Sequence, residues 1–112
     1  MSTETFSGMK DSQTALRRTV MIINQRGLHA RAAAKFVKLA GEFDAEVAVE
    51  RNGTAVSGMS IMGLMMLGAA MGDEITISAE GDGAEAAVTS LSELVEAQRE
   101  ATLFFEQWQL QA

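Results

Sequence analysis

Asn52-Gly53 lies between the alternating run Ala45 to Arg51 and the short run Thr54 to Ser57, and it commits the middle of this chain to a β-hairpin. An Asn-Gly pair tolerates positive φ at both positions, and its turn has the twist that paired strands need. In the first strand Val47 and Val49 point one way and Glu46 and Glu50 the other. The hairpin therefore has one apolar face that other elements must cover.

Those elements flank it. Thr19 to Asn24 (TVMIIN) reads as a buried strand that Gln25-Arg26-Gly27 ends. Ala33, Phe36, Val37 and Ala40 recur at helical spacing, and Gly41 is a stop. Ser60 is a natural N-cap for a short helix weakened by Gly63 and Gly68. Glu74 to Glu80 alternates again, with Ile75, Ile77 and Ala79 inward, and Gly81-Asp82-Gly83 turns the chain. Ala84, Ala87, Val88, Leu91 and Val95 mark a last amphipathic helix, which Leu103, Phe104, Phe105 and Trp108 extend. The order βαββαβα is an α+β pattern, with helices on one face of an antiparallel or mixed sheet. The expected organisation is an extension over 1–18, one domain over 19–100 and an apolar tail over 101–112.

Composition narrows the chemistry. With 112 residues there is room for one core, and 47% hydrophobic with 21% charged residues is an ordinary globular balance. The chain has no cysteine and a single histidine, which leaves neither thiol chemistry nor a zinc or iron site of ordinary type, and no cofactor is expected. A net charge of −6 disfavours nucleic acid. The polar first residues do not resemble a signal peptide, and the longest apolar stretch, Met59 to Met71, is too short and too rich in glycine to insert in a membrane, so a cytoplasmic location is expected.

The candidate site is Gly27-Leu28-His29-Ala30-Arg31. His29 stands just before the first helix, where backbone N–H groups, that of Ala30 among them, lack partners and attract anions. Arg31 adds a forked guanidinium suited to phosphate oxygens. The local alternative is a histidine that merely caps the helix. Arg31, Lys35 and Lys38 share a stripe that is either a solvated face or a docking patch for an acidic partner. Ser60 is a cap by position. The methionines of the following stretch read first as core, but a two-turn helix cannot bury every side, so some of Ile61, Met62 and Met65 should be exposed and available to partners.

Taken together, GLHARAAAKFVKLA, the hairpin, SIMGLMMLGAAMGDEITISAEG and the final helix resemble the HPr family, the histidine-containing phosphocarriers of the phosphoenolpyruvate-dependent phosphotransferase system (PTS). The resemblance runs from about Thr19 to about Arg99. It implies an open-faced β-sandwich: a four-stranded antiparallel sheet with three helices on one face. It also implies a carrier rather than a stand-alone enzyme. His29 would take a phosphoryl group on Nδ1 from Enzyme I and pass it to EIIA-type domains, with Arg31 assisting. Ser60 matches the serine that an HPr kinase/phosphorylase modifies in some members. The chain departs from the family at Ala32, where a proline is usual; alanine is the best helix former and the chemistry does not need the ring. The alternative function is a regulatory binding protein whose phosphorylation state controls a kinase or transcription factor.

Overall fold

The computed structural model describes residues 15–96. Strand β1 spans Ala15–Met21, helix α1 Ala30–Ala40, β2 Glu46–Arg51, β3 Thr54–Ser57, helix α2 Ile61–Met66 and β4 Glu74–Glu80. A last helix, α3, begins at residue 84 and is followed here to 96. The four strands form one antiparallel sheet in the order β1-β4-β2-β3. The architecture is the open-faced α+β sandwich expected.

The alternating patterns choose the covered face. Val47 and Val49 on β2, and Ile75, Ile77 and Ala79 on β4, are all buried. The intervening Glu46, Glu74 and Glu80 are exposed. Phe36 of α1, Leu64 of α2 and Leu91 of α3 close over that apolar sheet surface. Phe36 is among the largest fully buried side chains, and cutting such a residue to alanine costs about 3–5 kcal/mol. Asn52 (φ 52°) and Gly53 (φ 84°) make the hairpin turn that joins β2 to β3.

Two expectations need correction. The first strand runs from Ala15 to Met21 rather than from Thr19 to Asn24, so residues 15–18, expected in the extension, are its first half. Its length follows from its partner: the register runs from Ala15 opposite Glu80 to Met21 opposite Glu74, the two ends of β4. Ile22 leaves the strand but stays in the core. Secondly, the methionine stretch is not core. Met59, Met62, Met65, Met66 and Met71 are all exposed, and the buried positions of that segment are Leu64, Leu67 and Ala69. The rest of the expected extension, and the tail over 101–112, lie outside the described residues.

Candidate functional site

The turn before α1 is held from both sides. The Asn24 carbonyl accepts from the Gly27 N–H at 2.9 Å, and the Asn24 Oδ1 accepts from the Arg26 N–H at 3.2 Å. Gly27 adopts φ +66°, and a Cβ there would stand 2.3 Å from the carbonyl oxygen of Ala69 and 2.9 Å from the Cα of Ala70. The chain can therefore lie this close to the loop after α2 only as glycine. The next residue makes the contact explicit: the Leu28 N–H donates to the Ala69 carbonyl at 3.0 Å.

His29 follows as the N-cap of α1, with extended backbone (φ −77°, ψ 179°). Its carbonyl accepts the first helical bond, from Ala33, at 2.8 Å. Its side chain caps as well, since the Arg31 N–H donates to Nδ1 at 3.3 Å. A backbone N–H can only donate, so Nδ1 presents its lone pair to the helix end, and the proton of a neutral ring lies on Nε2. The Asn24 amide stands 3.3 Å from Nε2. Its Nδ2 is the atom that faces the ring while its Oδ1 is held by the Arg26 N–H, so a half-turn that offers oxygen to a protonated Nε2 would give up the Arg26 bond. The ring is partly exposed. No acidic residue occupies the first turn of α1, so the positive end of the helix is uncompensated. The arrangement offers a nucleophilic nitrogen inside an anion-attracting field, open on one side.

Arg31, Lys35 and Lys38 are exposed, and the two lysines continue the stripe of Arg31 along α1. Among the described residues Arg31 makes no ion pair. α2 packs beside α1. It is capped by Ser60, whose Oγ accepts from the Gly63 N–H at 2.9 Å. Ile61, Met62 and Met65 on this helix are exposed, as expected, and Met66 is more exposed still, at 78%.

The family model for the PTS HPr component phosphorylation site matches residues 16–97. The chain belongs to the HPr family. It is 45% identical to the phosphocarrier protein HPr of Cupriavidus necator over 80 residues, which are 71% of this chain and 90% of that protein. It is equally 45% identical to the phosphocarrier protein NPr of Shewanella violacea, over 75% of this chain and 92% of the other. The crystal structure of an HPr from Bacillus anthracis superposes with a TM-score of 0.70 at 40% identity, covering 72% of this chain and 96% of that one. The protein is thus a PTS phosphocarrier of HPr/NPr type. Among the described residues no helix is long and apolar enough to cross a membrane.

Within this HPr fold the sequence placed His29, Arg31 and Ser60 correctly at the starts of their helices. It missed Asn24. The residue reads as the end of a strand, although an Asn three residues before a glycine is also a turn signal. It missed as well the dependence of the His29 loop on Ala69, because nothing local links residues 27 and 69.

Proposed function

We propose that His29 is the phosphoryl acceptor, taking the group from a phosphohistidine of Enzyme I and giving it to EIIA-type domains. The observation that carries this reading is the Nδ1 of His29, turned toward the N-terminus of α1 and held by the Arg31 N–H. In the transfer, the Nδ1 lone pair forms the new N–P bond as the donor's N–P bond breaks. Such a step depends on positioning and on neutralising charge. The free N–H groups of the first turn, Ala30 included, and the Arg31 guanidinium would take up the phosphoryl oxygens. The Lys35 and Lys38 stripe and the exposed Ile61, Met62 and Met65 lie on adjacent helices and fit a docking surface for acidic partners with an apolar centre. The experiment is labelling of the full chain with Enzyme I and phosphoenolpyruvate. An acid-labile label is expected on the wild type and none on His29→Ala with its fold intact; label persisting in that variant, which has no other histidine, overturns the assignment.

Ser60 is proposed as a regulatory phosphosite, the substrate of an HPr kinase/phosphorylase. The hydroxyl caps α2 through Gly63, and a phosphate at a helix start is tolerated by the helix itself. It would instead place about −1.5 to −2 charges beside the docking surface. Ser60→Asp should raise the apparent KM for phosphorylation of His29, whereas Ser60→Ala should lose about 1 kcal/mol of capping and keep carrier activity. If Ser60→Asp matches wild type at every concentration, Ser60 is only a cap.

A further inference from the structure

The core-facing side of β2 ends in an arginine. Arg51 follows Val47 and Val49 on that face, but it reaches past the edge of the core to the segment between α2 and β4. Its Nη1 donates to the Leu67 carbonyl at 2.9 Å, at the C-cap of α2, and its Nη2 lies 3.0 Å from Oδ2 of Asp73. The same Oδ2 accepts from the Ala70 N–H at 2.8 Å. The guanidinium and the carboxylate therefore hold both sides of Ala69, whose carbonyl accepts from Leu28, the residue before His29. Both side chains are only about a third exposed or less (26% and 34%), so water screens the pair incompletely.

We infer that Arg51, paired with Asp73, is a positioning residue for the phosphoryl site, fixing the Ala69 carbonyl and through it the backbone that aims His29. The inference rests on His29 being the acceptor. Arg51 touches neither the imidazole nor the helix end; it acts only through the 67–73 segment. Removing the fork frees the Leu67 carbonyl and unpairs the Asp73 carboxylate that holds the Ala70 N–H. The Ala69 carbonyl then wanders, and Leu28 and His29 with it. A misplacement of about 1 Å at a reacting atom costs up to about a hundredfold in rate. The docking surface on α1 and α2 keeps its side chains, so binding of the donor should change little.

The test uses the full chain and single-turnover transfer from phosphorylated Enzyme I, across concentrations that separate the saturating rate from the half-saturation point. Arg51→Met, which keeps the length of the stem, should slow the saturating rate by about tenfold or more while half-saturation stays put. Arg51→Lys should recover part of the loss, and Asp73→Asn, which can still accept from Ala70, should be the mildest. Amide exchange supplies a readout that simple destabilisation would not reproduce: Leu28 and Ala70 should exchange faster in Arg51→Met while Phe36 and Ile77 keep their protection. An unchanged saturating rate in Arg51→Met, or equal acceleration of all four amides, overturns the inference. His29→Ala run alongside separates the two claims. A label on that variant removes the acceptor reading and this one with it; a silent His29→Ala beside an unaffected Arg51→Met removes the positioning role alone.

Discussion

Gly27→Ala should be far more damaging than Gly53→Ala, although both glycines have positive φ. At Gly53 (φ +84°) nothing lies within 4 Å of an added Cβ, so the substitution costs only the left-handed conformation, about 1–2 kcal/mol. At Gly27 (φ +66°) the same term applies, and the new Cβ also meets the Ala69 oxygen at 2.3 Å and the Ala70 Cα at 2.9 Å. Both are backbone atoms, so no flexible side chain can give way; the two loops must part. Parting breaks the bond from Leu28 to Ala69, and both Gly27 and Leu28 are buried. A buried donor left without its acceptor adds about 1–3 kcal/mol. The difference between the two variants is then about 2 kcal/mol, which in a domain of this size corresponds to a further drop in Tm of about 8–16 °C. Thermal and urea unfolding of wild type and both variants measure it, with equal m-values as the check that only stability changed. Coincident midpoints for the two variants would refute the close approach of the His29 loop to Ala69.

Three other outcomes follow from different parts of the molecule. Ser92 is fully buried in α3 and its Oγ has no hydrogen-bond partner among the described residues, so Ser92→Ala should stabilise the chain by about 1 kcal/mol in chemical denaturation. Reversing Lys35 and Lys38 to Glu should slow association with acidic partners at low salt, and raised salt should erase the difference; equal rates at low salt would reduce the stripe to a solvated face. Deleting residues 101–112 should leave labelling of His29 intact, while a folded but unlabelled deletion variant would place the tail in the working site.

The elements that could be read from sequence are those with one buried side. The 3.6-residue spacing of Ala33, Phe36 and Ala40, and the alternation through Val47, Val49, Ile75 and Ile77, directly encode which side chains the core receives. The start of β1 carries no such record. Leu16, Arg17 and Arg18 are exposed on an edge strand, and backbone pairing with Ile77, Ser78 and Ala79 holds them there. A run of methionines in a glycine-rich segment gives no phase either, since methionine suits a core or a contact surface equally well; only the packing of Leu64 and Leu67 beneath shows that the methionines face outward. At the candidate site the cap was legible, because a helix start is a local event. Asn24 against Nε2, and Arg51 reaching Leu67 and Asp73, are contacts across turns and between strands, which no spacing rule records.

A modest hold on a phosphoryl group at His29 would suit the proposed carrier step. Among the described residues the ring of His29 meets one backbone N–H and one amide, and no carboxylate hydrogen-bonds to it. A phosphoryl group on Nδ1 would take over the Arg31 N–H and the field of the helix end. A partly buried helix terminus contributes up to about 2 kcal/mol, and a charge-assisted hydrogen bond about 1.5–3 kcal/mol. Together that is a few kcal/mol, enough to orient the group and offset its charge. It is small beside what a dedicated phosphate-binding pocket with several buried cations would supply, and such a pocket would keep what it bound. On the proposed reading His29 is an acceptor that must also be a donor; that needs a shallow well, which one nitrogen at an open helix end would provide. The tight part of the design would then lie in the backbone rather than in contacts to the phosphoryl group: Gly27 and Leu28 pack closely against the Ala69 carbonyl just before His29, and a group on Nδ1 would stay within reach of the next acceptor.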